Sequence, residues 1–386
     1  VALLAVGLWP LRVSSPNCAV WRSTSPGLYF PSGRDRPKFS LGGLAHTEGS
    51  LVGLPGTQCQ PGAMTIELWV RPAEEPHGAR GRIVSVWSAD GVELFFIGQW
   101  RQEVILWVRQ EDPAAQPQFR ELDTRNALAV GRSTFLTYTA DTNGTTLYLN
   151  GRRVRQWQGI RLLAPTDTLV GKRIFVGNSP RATDPWAGAV LGLGLHNCAL
   201  TAEQIQQRYQ HWMQAGPPPP GPAEATLALY DLRTGSGQVI SNLAGAGPAL
   251  VLPARLRELK PFLARADFLR QGKLDMAVNV LGFIPYGFFL ARWLKRRRHW
   301  PWLAAASGAV LAGCAVSLVI ELGQGWVPTR DSSWTDLICN GVGTLAGAVL
   351  AGGVPLLLAV ARLLVAVAKF LEEEEPAKAG PDQKLR

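Results

Sequence analysis

The chain has 386 residues, enough for two or three domains. Its mean hydropathy near zero hides an asymmetry, because residues 12 to 270 read as a mixed soluble chain while 276 to 371 is dominated by Ala, Leu, Val and Gly. The net charge of +10 comes with no RNP, zinc-finger or helix-turn-helix signature, and five cysteines show no CxxC or Cys/His ligand spacing, which argues against nucleic acid, zinc and redox centres.

Val1 to Leu11 is apolar but shorter than the about 20 residues that cross a bilayer. No small-x-small cleavage site follows, so residues 1–11 read as the end of a truncated first transmembrane helix rather than a signal-peptide core. From residue 28 to 200 the pattern is β. Thr65 to Val70, Val104 to Val108 and Phe135 to Tyr138 alternate, and Asn143-Gly144 and Asn150-Gly151 flank the strand Thr146 to Leu149 with two tight-turn signals. Arg173 to Gly177 and Ala189 to Leu195 add strands, so the spacing argues for an antiparallel sandwich. Thr201 can cap a helix running on from Glu203 to Trp212.

Gly216 to Pro222, with four consecutive prolines, reads as a stiff linker within 213–222. Residues 223–257 then hold three short strands, Ala225 to Tyr230, Gln238 to Ile240 and Ala249 to Leu252. These are expected to complete the sandwich and to supply an edge partner for Gly27 to Phe30. Pro261 to Lys273 is basic and amphipathic, suited to a membrane surface or to an ordinary solvated helix.

Three apolar runs follow, at about 276–294, 301–321 and 336–354, each long enough to cross the hydrocarbon core. Trp293, Trp300, Trp302, Trp326 and Trp334 fall at run ends, where amphipathic rings prefer to sit. Lys295-Arg296-Arg297-Arg298-His299 belongs on the cytoplasmic side. The loop Gly323 to Thr335 and the sandwich are then outside. Residues 355–371 read as an amphipathic surface helix or a further span, and 372–386 as a charged cytoplasmic tail. The expected fold is therefore multi-domain: an all-β jelly-roll sandwich plus an α-helical transmembrane bundle.

The polar residues at the outer ends of the runs form a pattern. Asp275 and Asn279 are spaced i, i+4, Glu321 and Gln324 i, i+3, and Asp336 and Asn340 i, i+4. Ionisable groups at such positions need a partner or a water-filled cavity. Arg330 is the expected counter-charge for Glu321 or Asp336, and Ser333 the expected cap of the third helix. Gly343 and Gly347 make a small-xxx-small stripe. A polar cap that sets helix register competes with an outward-facing site for an anionic or sugar-bearing headgroup. No nucleophile–base pair and no metal-ligand set stands out, since His299 lies on the other side and His196 and His211 belong to the soluble part.

Two resemblances attach to these stretches. MTIELWVRP (64–72), TNGTTLYLNGRRV (142–154), IFVGNSP (174–180) and WAGAVLGLGLHNCALTAEQIQQRY (186–209) resemble, in order, concanavalin A-like, LamG-type jelly rolls, with Trp186 in place of the usual Phe. The resemblance implies glycan binding over 27–212, with Trp100 and Trp157 as stacking candidates and calcium at Asp141 and Asp184 as a weaker expectation. Were the domain outside the cell, Cys59 and Cys198 could bridge. D-x3-N-x-L-G-F-x-P-x-G (275–287) and E-x2-Q-x5-R-x2-S-x2-D-x3-N-x2-G-x3-G (321–347) resemble the VanZ family of bacterial membrane proteins, expected here over 258–371. Met276 and Asn279 stand where many members have Lys and His, which weakens any histidine acid–base proposal.

By that resemblance Asp275, Asn279, Glu321, Gln324, Arg330, Ser333, Asp336 and Asn340 are the ligand-binding motif residues of a multi-pass protein of the bacterial cytoplasmic membrane. The leading expectation is a non-enzymatic envelope protein with membrane lipid and a glycan or cell-wall precursor as partners, linked to resistance to the glycopeptide teicoplanin. An intramembrane enzyme acting on a polyprenyl-phosphate-type lipid, and a transporter using the carboxylates, stand as alternatives.

Overall fold

A computed structural model describes residues 2–9, 13–37, 40–53, 61–76, 80–110, 117–221, 224–245, 247–257, 262–263, 273–327 and 330–352. The chain forms two compact units, one spanning Val13–Glu258 and the other Val1–Arg12 with Leu259–Arg386.

The strands of the first unit are β1 (Ser15–Pro16), β2 (Val20–Trp21), β3 (Leu28–Phe30), β4 (Ala45–Thr47), β5 (Met64–Pro72), β6 (Gly81–Trp87), β7 (Glu93–Trp100), β8 (Glu103–Arg109) and β9 (Phe119–Thr124). They continue as β10 (Thr134–Asp141), β11 (Gly144–Leu149), β12 (Arg152–Gln158), β13 (Arg173–Val176), β14 (Gly188–His196), β15 (Thr226–Asp231), β16 (Val239–Ile240), β17 (Leu250–Val251) and β18 (Arg255–Leu256). One eight-stranded sheet runs β12-β11-β10-β5-β14-β3-β2, with β15 also on β14. The other runs β16-β17-β4-β13-β6-β7-β8-β9, and β1 pairs with β18. All these strand pairs are antiparallel, and the two sheets enclose one apolar core.

Alternation builds that core. Met64, Ile66, Leu68 and Val70 of β5 point into it, while Thr65, Glu67 and Trp69 face the other side of the sheet. Asn150 and Gly151 both take positive φ (50° and 76°), as a two-residue hairpin turn between β11 and β12 requires. On the outer face of the first sheet lies α2 (Ala202–Gln214), capped by Thr201, whose side chain accepts from Gln204 N while the Gln204 side chain accepts from Thr201 N.

The short strands after residue 223 are divided between the two sheets. β15 pairs with β14, whereas β16 and β17 extend the other sheet beside β4. β3 takes β14 and β2 as partners rather than any of these, which leaves β2 at the edge. Besides the expected 27–212 and 223–257, the unit includes β1 and β2, and β1 and β18 close its two ends on each other. The stretch 213–222 runs inside this unit, joining α2 to β15.

The second unit contains α1 (Ala2–Gly7), α3 (Lys273–Arg297), α4 (Trp302–Gln324) and α5 (Trp334–Leu350). α3 and α4, at 25 and 23 residues, are long and apolar enough to cross a membrane. They are also little buried by protein, with Leu281, Phe289, Leu303, Leu311 and Val319 exposed, which suits lipid as their surroundings. Trp293, Trp300, Trp326 and Trp334 are exposed at the helix ends. α5 has 17 residues, at the short end of what spans a bilayer.

α3 and α5 lie backbone against backbone. A Cβ at Gly343 would overlap the Val280 carbonyl, one at Gly347 that of Ile284, and one at Gly287 that of Thr344. Small residues permit this approach, and dispersion attraction between the two backbones holds the pair together in an apolar solvent. The readings for 355–371 and 372–386, and most of the amphipathic stretch 261–273, lie outside the described residues.

Candidate functional site

Close packing of α3 on α5 sets the position of the polar residues at one end of the helical unit. Asn279, in the second turn of α3, donates Nδ2 to the Asp336 carboxylate in the first turn of α5. Ser333 caps α5, its side chain accepting from Asp336 N (3.1 Å), while Ser333 N donates to Glu321 Oε2 (2.8 Å). Three helices are thereby linked through one run of hydrogen bonds. Glu321 is 1% exposed, and one turn before it Ser317 Oγ accepts from Asn340 Nδ2 (2.9 Å).

Asn340 is itself buried, and its Oδ1 has no hydrogen-bond partner. A buried acceptor left open is uncommon and costly, so a donor belongs there. Ser317 and Thr344, whose Oγ1 donates to Asn340 O (2.8 Å), were not among the residues expected from sequence. The signal was present, because Ser317 stands i, i+4 before Glu321 on one helical face.

The other expected members lie at the margin. Gln324 Nε2 donates to Gly7 O (2.8 Å), and Arg330 Nε to Trp9 O (3.1 Å), so both tie down the segment around α1. Arg330 is exposed, and its Nε is engaged by this backbone contact. Asp275 is exposed in the first turn of α3. The structure thus gathers Asn279, Glu321, Ser333, Asp336 and Asn340, with Asp275 exposed one turn before Asn279. A hollow of this unit lies elsewhere. It is an open groove of about 1010 Å³ along the later turns of α3, lined by Pro285, Phe289 and Trp293 with Arg296 and Arg297 at one end.

In the sandwich, the two carboxylates of the calcium expectation both have protein partners. Asp141 accepts from Asn143 N (2.7 Å) and Gly144 N (3.2 Å), which is the hydrogen bonding of a turn. Asp184 is engaged by Arg82 Nε (2.8 Å) and Thr183 Oγ1 (2.9 Å). Among the described residues no group of three His, Cys, Asp or Glu side chains is placed to hold a metal. Trp157 packs on the core with Arg155 stacked over it, and Cys59 lies outside the described residues.

One cluster in the sandwich was not foreseen from sequence. Glu67, on the outer face of β5, receives Arg208 Nε and Nη2 of α2 (both 2.8 Å), His196 Nε2 (3.3 Å) and Trp212 Nε1 (3.4 Å). Burial pushes its pKa up, but the hydrogen bonds and charges of His196 and Arg208 prevail and hold it at about 2. The cluster is enclosed by α2, so it fastens the helix to the sheet rather than facing a ligand.

Two family matches fit this geometry. Residues 234–357 match the VanZ/LLP1 family, and 46–206 match the Concanavalin A-like lectin/glucanases superfamily. No curated protein matches the chain. Among solved structures, a carbohydrate-binding candidate from Bacteroides ovatus is similar at 16% identity and a TM-score of 0.39, covering 60% of this chain and 58% of its own. The heptameric SAP-like pentraxin of Limulus polyphemus is similar at 13% identity and 0.37, over 62% of this chain and 98% of its own. The CBM40 of a Ruminococcus gnavus sialidase follows at 16% and 0.31, over 42% and 95%. At these values the solved structures carry no functional weight. The chain joins a concanavalin A-like, LamG-type jelly roll to a VanZ-like unit that has two helices long and apolar enough to cross a membrane.

Proposed function

We propose that this is a non-enzymatic, multi-pass envelope protein whose jelly roll recognises saccharide outside the cytoplasmic membrane. Its helical unit binds the headgroup of a cell-wall or lipid-linked molecule at the outer membrane face. The observation that carries this reading is the open Oδ1 of Asn340, buried in a cluster to which three helices contribute. Packing alone is served by apolar residues, and an unmet buried acceptor works against stability. The cluster is rich in acceptors, with two carboxylates and the Asn340 oxygen, while Arg330 lies at its margin. Such a site suits hydroxyl, amide or ammonium donors on the ligand better than a phosphate. On this reading, altered access to cell-wall precursors would link the protein to glycopeptide resistance.

The test is to purify the full chain with native lipid and compare copurifying lipids and saccharides by mass spectrometry with those of Glu321→Gln and Asn340→Leu variants. A species enriched on the parent and depleted on both variants, at matched unfolding temperature, is the expected result. Identical profiles would sink the reading.

A further inference from the structure

A second candidate site lies in the jelly roll. Two adjoining hollows of about 370 and 320 Å³ share Arg109, Gln110 and Arg161, and Arg120 lines the second. Their sizes sit at the lower end of the about 300–1,000 Å³ usual for ligand pockets. Arg109 ends β8, and Arg120 sits on β9, paired with Val108. Arg161 follows the turn at Gly159 after β12, and its backbone is set from both sides. Thr145 Oγ1 donates to Ile160 O (2.7 Å), and Leu162 and Leu163 are buried in the core.

The charges in this cleft are uneven. Asp167 pairs with Lys172 Nζ (2.7 Å), and Asp90 accepts from Ser88 Oγ. Arg109, Arg120 and Arg161 have no carboxylate within 4.0 Å among the described residues. The Arg109 guanidinium stacks over Phe119 at 5.6 Å, which orients its plane. Arg161 Nε is buried with no hydrogen-bond partner, a donor whose acceptor is missing. A guanidinium fork matches a carboxylate in both geometry and charge.

Resting on the reading of this domain as saccharide-binding, we propose that the cleft between Arg109, Arg120 and Arg161 binds an acidic saccharide through its carboxylate groups. The arginines select for charge, and the half-buried Arg161 sets the position of the acid within the cleft.

The experiment presents the full chain, in lipid nanodiscs, to an array of neutral and uronic-acid-containing oligosaccharides, followed by titration of tri-galacturonate and its neutral galactose counterpart. Acidic oligomers should bind at least tenfold more tightly than neutral ones. Arg161→Gln and the pair Arg109→Gln, Arg120→Gln should each remove that preference without lowering the unfolding temperature. Glu111 and Asp112 follow Gln110 in sequence but lie outside the described residues, so a Glu111→Gln, Asp112→Asn variant serves as control and should bind equally or more tightly. Binding restricted to neutral sugars, or insensitive to the arginine variants, overturns the acidic-ligand proposal and leaves saccharide binding standing. Binding to nothing on the array overturns both.

Discussion

Asn279 on α3 donates its side-chain amide to the carboxylate of Asp336, 57 residues away in the first turn of α5. Since α3 and α5 touch through glycines, this contact and the glycine stripe define one register between the two helices. Removing the donor by Asn279→Ala should cost about 1–3 kcal/mol, the usual penalty for stripping a partner from a half-buried charged acceptor. Asn279→Asp should cost more, because two carboxylates would face each other at neutral pH. Thermal unfolding of the full chain in nanodiscs at pH 7 measures both, and an Asn279→Asp protein as stable as the parent contradicts the contact.

The glycine stripe should tolerate no side chain. Gly343→Ala and Gly347→Ala each drive a Cβ into a carbonyl of α3, so each should cost about 1–3 kcal/mol or more, the range for overpacking a tight contact. Gly282→Ala on α3 meets nothing within 4 Å and should be neutral or stabilising by about 1 kcal/mol through helix propensity. Comparing the three unfolding temperatures isolates the close approach from a general effect of adding a methyl group.

In the jelly roll, Glu67→Ala would strip His196 Nε2 and Arg208 Nε and Nη2 of their carboxylate, leaving Arg208 only Glu224 at Nη1, a change expected to cost about 3–5 kcal/mol. The same group makes the domain acid-sensitive. Its folded pKa of about 2 is below the ordinary 4.5, so its contribution is complete above pH 4.5 and is lost as pH falls towards 2. Denaturant titrations of the parent between pH 5 and 2 should show a steep fall in stability. A Glu67→Gln protein should lose this part of the slope, and an unchanged slope would remove Glu67 from the account.

Sidedness is open to direct labelling. In a cysteine-free background, Val239→Cys places a thiol at an exposed position of β16, and Arg297→Cys one at the end of α3. A membrane-impermeant maleimide added to intact cells should label the first and not the second. The reverse pattern would invert the topology proposed from the basic cluster at 295–299.

The helical unit shows where local sequence is enough and where it stops. Ser333 was legible as a cap because a hydroxyl three residues before Asp336 has few other roles at that position, and the structure has it accepting Asp336 N. The spacing of Gly343 and Gly347 likewise exposed the face that meets α3. Asn340 was singled out, yet its open oxygen was not readable, since hydrogen-bond satisfaction depends on which side chains other helices deliver. Arg330 illustrates the same limit. Its Nε donates to the backbone oxygen of Trp9, 321 residues distant, a contact that no local pattern records.

By itself the sequence determined the elements and their class: period-two alternation in β5, turns at Asn143-Gly144 and Asn150-Gly151, the lengths of the apolar runs, and the motifs of both families. These are properties of adjacent residues, set by backbone geometry and by transfer of side chains from water. Tertiary structure alone decided that β15 joins one sheet while β16 and β17 join the other. It likewise decided that β3 pairs with β14, and that Glu67 meets Arg208 across 141 residues of chain. Every strand edge offers the same N–H and C=O groups, so partner choice is made by how whole faces fit together, and no local pattern records that.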